Sequence, residues 1–134
     1  MNADVIVIGG GIRGCATAYE LAKQGASVIV LEKDRVSRHA SGVNAGGVRV
    51  LGRHVAEVEL SKASMDLWHH LDDELDADTG FRCRSLINIA ADETDIETLS
   101  KRQTQMHNLG YYHEKMIDQK ELRERLPYVS PVCV

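Results

Sequence analysis

A chain of 134 residues, 43% of them hydrophobic, is long enough to bury the core of one ordinary domain, which excludes disorder as its default state. The net charge of -4 is unevenly spread: residues 1–54 carry seven Lys/Arg against four Asp/Glu, and residues 55–134 carry nine against sixteen. A basic leading half suits an anionic ligand without deciding which one, and no nucleic-acid partner is expected.

The first apolar run, Val5 to Ile8, is too short and has no basic stretch before it, so it does not read as a signal peptide, and no run approaches a membrane span. Three distant cysteines, Cys15, Cys83 and Cys133, fit free thiols in a reducing compartment, and a cytoplasmic location is expected. Val5 to Ile8 is β-branched throughout and ends in three glycines, as a buried parallel strand does before a tight turn. From Ile12 to Gln24 the positions Ile12, Cys15, Ala16, Ala18, Tyr19 and Ala22 recur at helical spacing, and Gly25 stands where a helix C-cap belongs. Ser27 to Leu31 is a second buried strand, which completes a βαβ unit.

Ser41 to Gly52 lacks periodicity and is rich in glycine, which predicts a functional loop. From Val55 to Leu75 the residues Leu60, Ser64, Leu67, Trp68, Leu71 and Leu75 make one face of a long amphipathic helix. Ser85 to Ala90 (SLINIA) alternates enough for a half-buried strand. Asp92 to Leu109 returns to helical spacing, with acids in its first turn and Gly110 at its end. Asp118 and Glu121 are spaced as a capping box for a short helix that Pro127 stops. The fold class is therefore α/β: a Rossmann-like βαβ unit followed by mixed helices and strands, with a boundary between residues 1–54 and 55–134.

Chemistry concentrates in the first turn. Gly9, Gly11 and Gly14 form GxGxxG directly between strand and helix. In such a turn the first glycine permits the tight bend, the second lets a pyrophosphate reach the backbone, and the third lets helix and strands approach. The helix N-terminus that starts at Ile12 adds free N–H groups and a partial positive charge. Glu32 follows the second strand, placed to accept hydrogen bonds from both ribose hydroxyls of an adenosine and to repel a 2'-phosphate. These residues specify an ADP-containing dinucleotide and leave FAD and NAD both open.

The segment DVIVIGGGIRGCATAYELAKQGASVIVLEKD, followed by ASGVNAGGVR, resembles the N-terminus of the FAD-dependent oxidoreductases of the D-amino-acid oxidase and sarcosine oxidase type, a group that includes glycine oxidase-like proteins. The resemblance is strong over residues 4–54 and rests on element order beyond them. It implies that Glu32 binds the adenosine ribose with Lys33 beside it, and that Ser41, Gly46, Gly47 and Val48 pass close to the flavin and pyrophosphate. Backbone with few side chains can indeed approach a flat ring and donate N–H groups to it. It also places Arg49 and Arg53 where members can use a basic residue near the flavin or a substrate carboxylate. Some members attach flavin through a histidine that would fall near Val43 or Asn44; none stands there, so FAD held without a covalent bond is expected.

The resemblance further implies oxidation of the C–N bond of an amino acid or a secondary amine such as sarcosine, with FAD taking the hydride at N5 and a small-molecule amine or amino acid as the substrate. No catalytic residue can be assigned from the sequence. Six histidines and the acids from Asp72 to Asp78 show no metal-binding spacing, so no metal site is expected. Only two parallel strands precede the glycine loop, whereas a doubly wound sheet needs several, so a fragment inactive by itself is expected. The alternatives are an NAD-binding Rossmann module, or a non-catalytic remnant or subunit that needs a partner chain to complete the fold.

Overall fold

The computed structural model describes residues 2–133. They form two compact units, one ending at Gly47 and the other beginning at Val48. In the first, strand β1 (Val5–Ile8) leads into helix α1 (Ile12–Lys23) and on to strand β2 (Val28–Leu31), and the two strands pair in parallel with Val5 opposite Val28 and Ile8 opposite Leu31. The α/β reading therefore holds for this unit.

Local chemistry sets both ends of α1. Gly11 is its N-cap in extended backbone and offers no side chain to the first-turn N–H groups. At the other end Gly25, at φ +88°, donates to Ala22 O while Ala26 donates to Leu21 O. This paired closure needs a left-handed residue, which glycine supplies without a Cβ penalty. The helix lies on the Val5/Val7 face of the sheet: a Cβ on Gly14 would sit 3.4 Å from Val7 Cγ1. Side chains of the opposite face are uncovered among the described residues, with Ile6 59%, Ile8 87% and Leu31 52% exposed. An apolar face of this kind is built to receive another layer.

The second unit opens with a 3-10 turn (Val55–Glu57) that runs into α2 (Val58–Leu75), followed by α3 (Glu93–Asn108) and α4 (Gln119–Arg125). Asp92 caps α3 by accepting from Asp95 N, and Asp118 caps α4 by accepting from Glu121 N. Each satisfies a donor that a helix start leaves orphaned. Gly110, at φ +83°, ends α3 with the same paired closure as α1, Tyr111 N donating to Met106 O and Gly110 N to His107 O. The core of the unit is Val58, Ala90, Met106 and Leu122. Trp68 stacks on Phe81 with ring centroids 5.5 Å apart.

Two expectations are corrected. SLINIA forms no strand, because a strand exists only through its ladder, and among the described residues no other segment pairs with Ser85–Ala90. Ala90 is buried nonetheless, while Leu86 and Ile89 stay substantially exposed. The apolar face of α2 is also less covered than its periodicity implies: Leu60 and Leu67 are exposed. The helix has formed, but the layer that its face would bury against is not supplied by these residues. No helix is long and apolar enough to cross a membrane among those described.

Candidate cofactor site at the first strand–helix turn

The turn Gly9–Gly14 is shaped by close contacts at Gly14 and Gly11 and by the left-handed backbone of Gly9. Gly9, at φ +106°, continues the ladder by donating to Leu31 O at 2.7 Å and then bends the chain away from the strand. A Cβ on Gly14 would lie 1.9 Å from Gly9 O, and one on Gly11 would lie 2.8 Å from Ser41 Oγ. Two of the three motif glycines are thus fixed by close approach and the first by its left-handed backbone.

Glu32 is joined to this turn directly. Its carboxylate accepts from Gly10 N at 2.7 Å through Oε2 and from Asp34 N at 3.0 Å through Oε1. The Gly10 N–H first, and the Asp34 N–H after it, hold the carboxyl below its usual range, so Glu32 is a carboxylate at neutral pH. Each of its oxygens has a second lone pair. It can therefore keep the turn in shape and still accept two hydroxyl donors.

Ser41 reaches the same place from the glycine loop: its Oγ accepts from Ile12 N at 2.9 Å, the first N–H of α1. Gly9, Gly11, Ile12, Gly14, Glu32 and Ser41 are therefore brought together. Lys33 is next to Glu32 and exposed. Gly46, at φ +72°, and Gly47 are exposed, and nothing lies within 4 Å of where their Cβ atoms would be. Gly46 N donates to Asn44 Oδ1. Val48 belongs to the second unit.

Gly10 was not singled out by the spacing, which treats it as a variable position. It is buried, its N–H holds Glu32, and its carbonyl accepts from Ser37 N at 2.9 Å. The only sequence signal is that a third glycine stands beside the two required ones; a Cβ there would lie 3.2 Å from Glu32 Cβ.

The arrangement suits the ADP half of a dinucleotide. The start of α1 has no acidic residue in its first turn, and Gly11 has no side chain to occupy the N–H groups, of which Ile12 N already donates to Ser41 Oγ. Arg13, in that first turn, is exposed. A cation at a helix N-terminus opposes the helix dipole, and a bound anion would offset that cost.

Comparison with known proteins identifies the family of the chain. The family model described as FAD dependent oxidoreductase matches residues 4–134. The chain is 29% identical over 129 residues to the sarcosine oxidase subunit beta of Arthrobacter sp, covering 95% of this chain and 32% of that protein. It is 35% identical over 106 residues to the glycine oxidase of Bacillus licheniformis, covering 72% of this chain and 28% of that protein. Among solved structures, L-amino acid deaminase from Proteus myxofaciens superposes with a TM-score of 0.83 at 28% identity, over 93% of this chain and 29% of that one. The chain thus spans about a third of the length of these relatives.

Proposed function

Because the chain belongs to the FAD dependent oxidoreductase family, we propose that its βαβ unit is Rossmann-like and holds the ADP half of FAD, and that the whole protein oxidises the C–N bond of an amino acid or secondary amine. The observation that carries the proposal is the joined pair of Gly10 and Glu32: a carboxylate fixed at the phosphate-binding turn with lone pairs still available for a ribose. Gly9, Gly11, Ile12 and Gly14 would receive the pyrophosphate, Glu32 the ribose hydroxyls, and Lys33 would lie beside the adenosine. Ser41, Gly46, Gly47 and Val48 would lie close to the flavin and pyrophosphate.

When bound, FAD supplies the two-electron acceptor for the amine, and the chain supplies position and electrostatics. Each part of the turn has a separate task. The α1 dipole and its first-turn N–H groups neutralise phosphate charge. Glu32 fixes the ribose and, as a carboxylate, rejects a 2'-phosphate. Gly46 and Gly47 present backbone to a flat ring with no side chain between.

Glu32→Gln keeps the shape but removes the charge that both the ribose hydroxyls and Gly10 N–H prefer. Charge-assisted hydrogen bonds are about twice as strong as neutral ones, so FAD affinity is expected to fall by roughly tenfold to a hundredfold. Fluorescence titration with FAD measures this, and equal affinity in the two proteins would count against Glu32 as the ribose ligand.

FAD is held without a covalent bond in this reading, since no histidine stands at Val43 or Asn44. Acid precipitation of the yellow protein is expected to leave the flavin in the supernatant. Flavin carried down with the polypeptide would refute non-covalent binding, and recovery of NAD in place of FAD would refute the cofactor.

Catalysis is proposed to need more polypeptide than these residues, as the continuation of a longer chain or as a partner subunit. Support comes from the uncovered Ile6/Ile8/Leu31 face and from the unpaired SLINIA segment. That segment forms one wall of an open cleft of about 590 Å³ in the second unit, through Leu86 and Ile87, with Leu51, Leu99, Met116 and Ile117 among polar residues on the other walls. Its walls include none of the residues proposed to hold FAD.

A further inference from the structure

The glycine loop is tied down at its two ends by different means. At its leading end Ser41 Oγ accepts from Ile12 N. At its trailing end, within the second unit, the anchor is a buried ion pair. Arg102 on α3 meets Glu114 with two prongs, Nε to Oε2 at 2.8 Å and Nη2 to Oε1 at 2.7 Å. Glu114 is only 6% exposed. Each partner also holds backbone from the end of the loop: Gly52 N donates to Glu114 Oε1 at 3.1 Å, and Arg102 Nη2 donates to Arg53 O at 2.8 Å.

These contacts select one conformation. Gly52 is at φ +72°, a left-handed residue, and Arg53 N closes a turn onto Val50 O at 3.2 Å while Arg53 Nε reaches Arg49 O at 3.4 Å. The stretch from Arg49 to Arg53 is therefore one hydrogen-bonded piece fastened to the Arg102–Glu114 pair. Between the two anchors Gly46 and Gly47 have open space around them. A buried ion pair is a poor source of stability, because desolvating two charges consumes most of what their attraction returns; its better-attested use is to fix one arrangement over others.

We infer that Arg102 and Glu114 are positioning residues that set the trailing end of the flavin-proximal loop, and so the place of Val48 and Arg49. This rests on the FAD reading of the preceding subsection. Neither residue touches the cofactor in this proposal; both act through the backbone of Gly52 and Arg53.

The test uses the whole protein and two variants. Arg102→Met combined with Glu114→Leu replaces the pair with apolar groups of similar volume, an exchange that commonly leaves stability unchanged. Arg102→Lys keeps the charge but loses the planar two-pronged contact and is the variant to rely on if the double variant does not fold. In the double variant the Gly52 amide has lost its carboxylate acceptor, and in Arg102→Lys that acceptor, Glu114, is no longer held by a two-pronged contact. The amide is therefore expected to exchange with solvent faster in both, by roughly tenfold or more in the double variant. The bound flavin is expected to show a shifted absorption band and roughly tenfold weaker FAD affinity at an unchanged melting temperature, which a purely structural role would not produce. Gly52 exchange at the parent rate would overturn the anchor. Faster exchange with an unaltered flavin spectrum and affinity would overturn the positioning role. A parent protein that binds no flavin would defeat the FAD reading itself, while the exchange of Gly52 would still report separately on the anchor.

Discussion

Alanine in place of Gly14 is expected to abolish FAD binding and to destabilise the βαβ unit by about 3 kcal/mol, the upper end for overpacking. The reason is the identity of the atom met. The new Cβ would lie 1.9 Å from Gly9 O, and Gly9 is held by its own bond to Leu31 O. A flexible side chain could move aside, whereas this carbonyl cannot without breaking the ladder that joins β1 to β2. Either α1 lifts from the sheet or Gly9 leaves its conformation, and both displace the N–H groups that would face the pyrophosphate. Gly25→Ala is the control: open space surrounds its Cβ position at φ +88°, so only the left-handed backbone is penalised, by about 1–2 kcal/mol. FAD titration and denaturant unfolding of the two variants separate the effects, and a Gly14→Ala protein that binds FAD as the parent does would show that close helix–strand contact is not required.

The second large effect is expected at Glu114. Removing one partner of a buried pair strands the other charge, which costs about 3–5 kcal/mol when both are fully buried. The Arg102 side chain keeps a quarter of its surface, so water can recover part of that loss and about 2–3 kcal/mol is expected for Glu114→Ala. Burial pushes the Glu114 carboxyl up, but the Arg102 hydrogen bonds and charge, with the Gly52 N–H, outweigh it and leave the group below its ordinary value. A carboxyl depressed in the folded state contributes stability that is fully present above its unfolded range and is lost as pH falls through the folded value. The stability difference between the parent protein and Glu114→Gln should therefore be complete at neutral pH and close on acidification below roughly pH 4. Thermal melts across that range measure it, and a gap that widens in acid would contradict the assignment.

Both predictions concern contacts of different legibility. The Gly14 contact follows from spacing: strand, GxGxxG and helix are local patterns, and the turn they make is fixed within six residues. Glu32 was legible for the same reason, since a parallel partner strand must return the chain to the end of β1. The helix caps at Asp92 and Asp118 were also readable, because a capping oxygen and its N–H donor lie three residues apart. The Arg102–Glu114 pair was not. Its members are separated by a helix end and a turn, the backbone they hold lies some fifty to sixty residues earlier, and no periodicity links such positions.

SLINIA marks the opposite case, in which the pattern was present and the strand was not. Alternation states which faces a strand would bury, but the strand itself is a relation between two segments. The sequence by itself therefore determined what is local in this protein: the parallel βαβ unit, the glycines of its turn, the acid after β2, and the starts and stops of the helices. Tertiary structure alone decided which apolar faces are covered and how Gly10 serves Glu32. It also decided that a buried ion pair fastens the end of the glycine loop, because these depend on contacts whose sequence separation carries no period for a pattern to reveal.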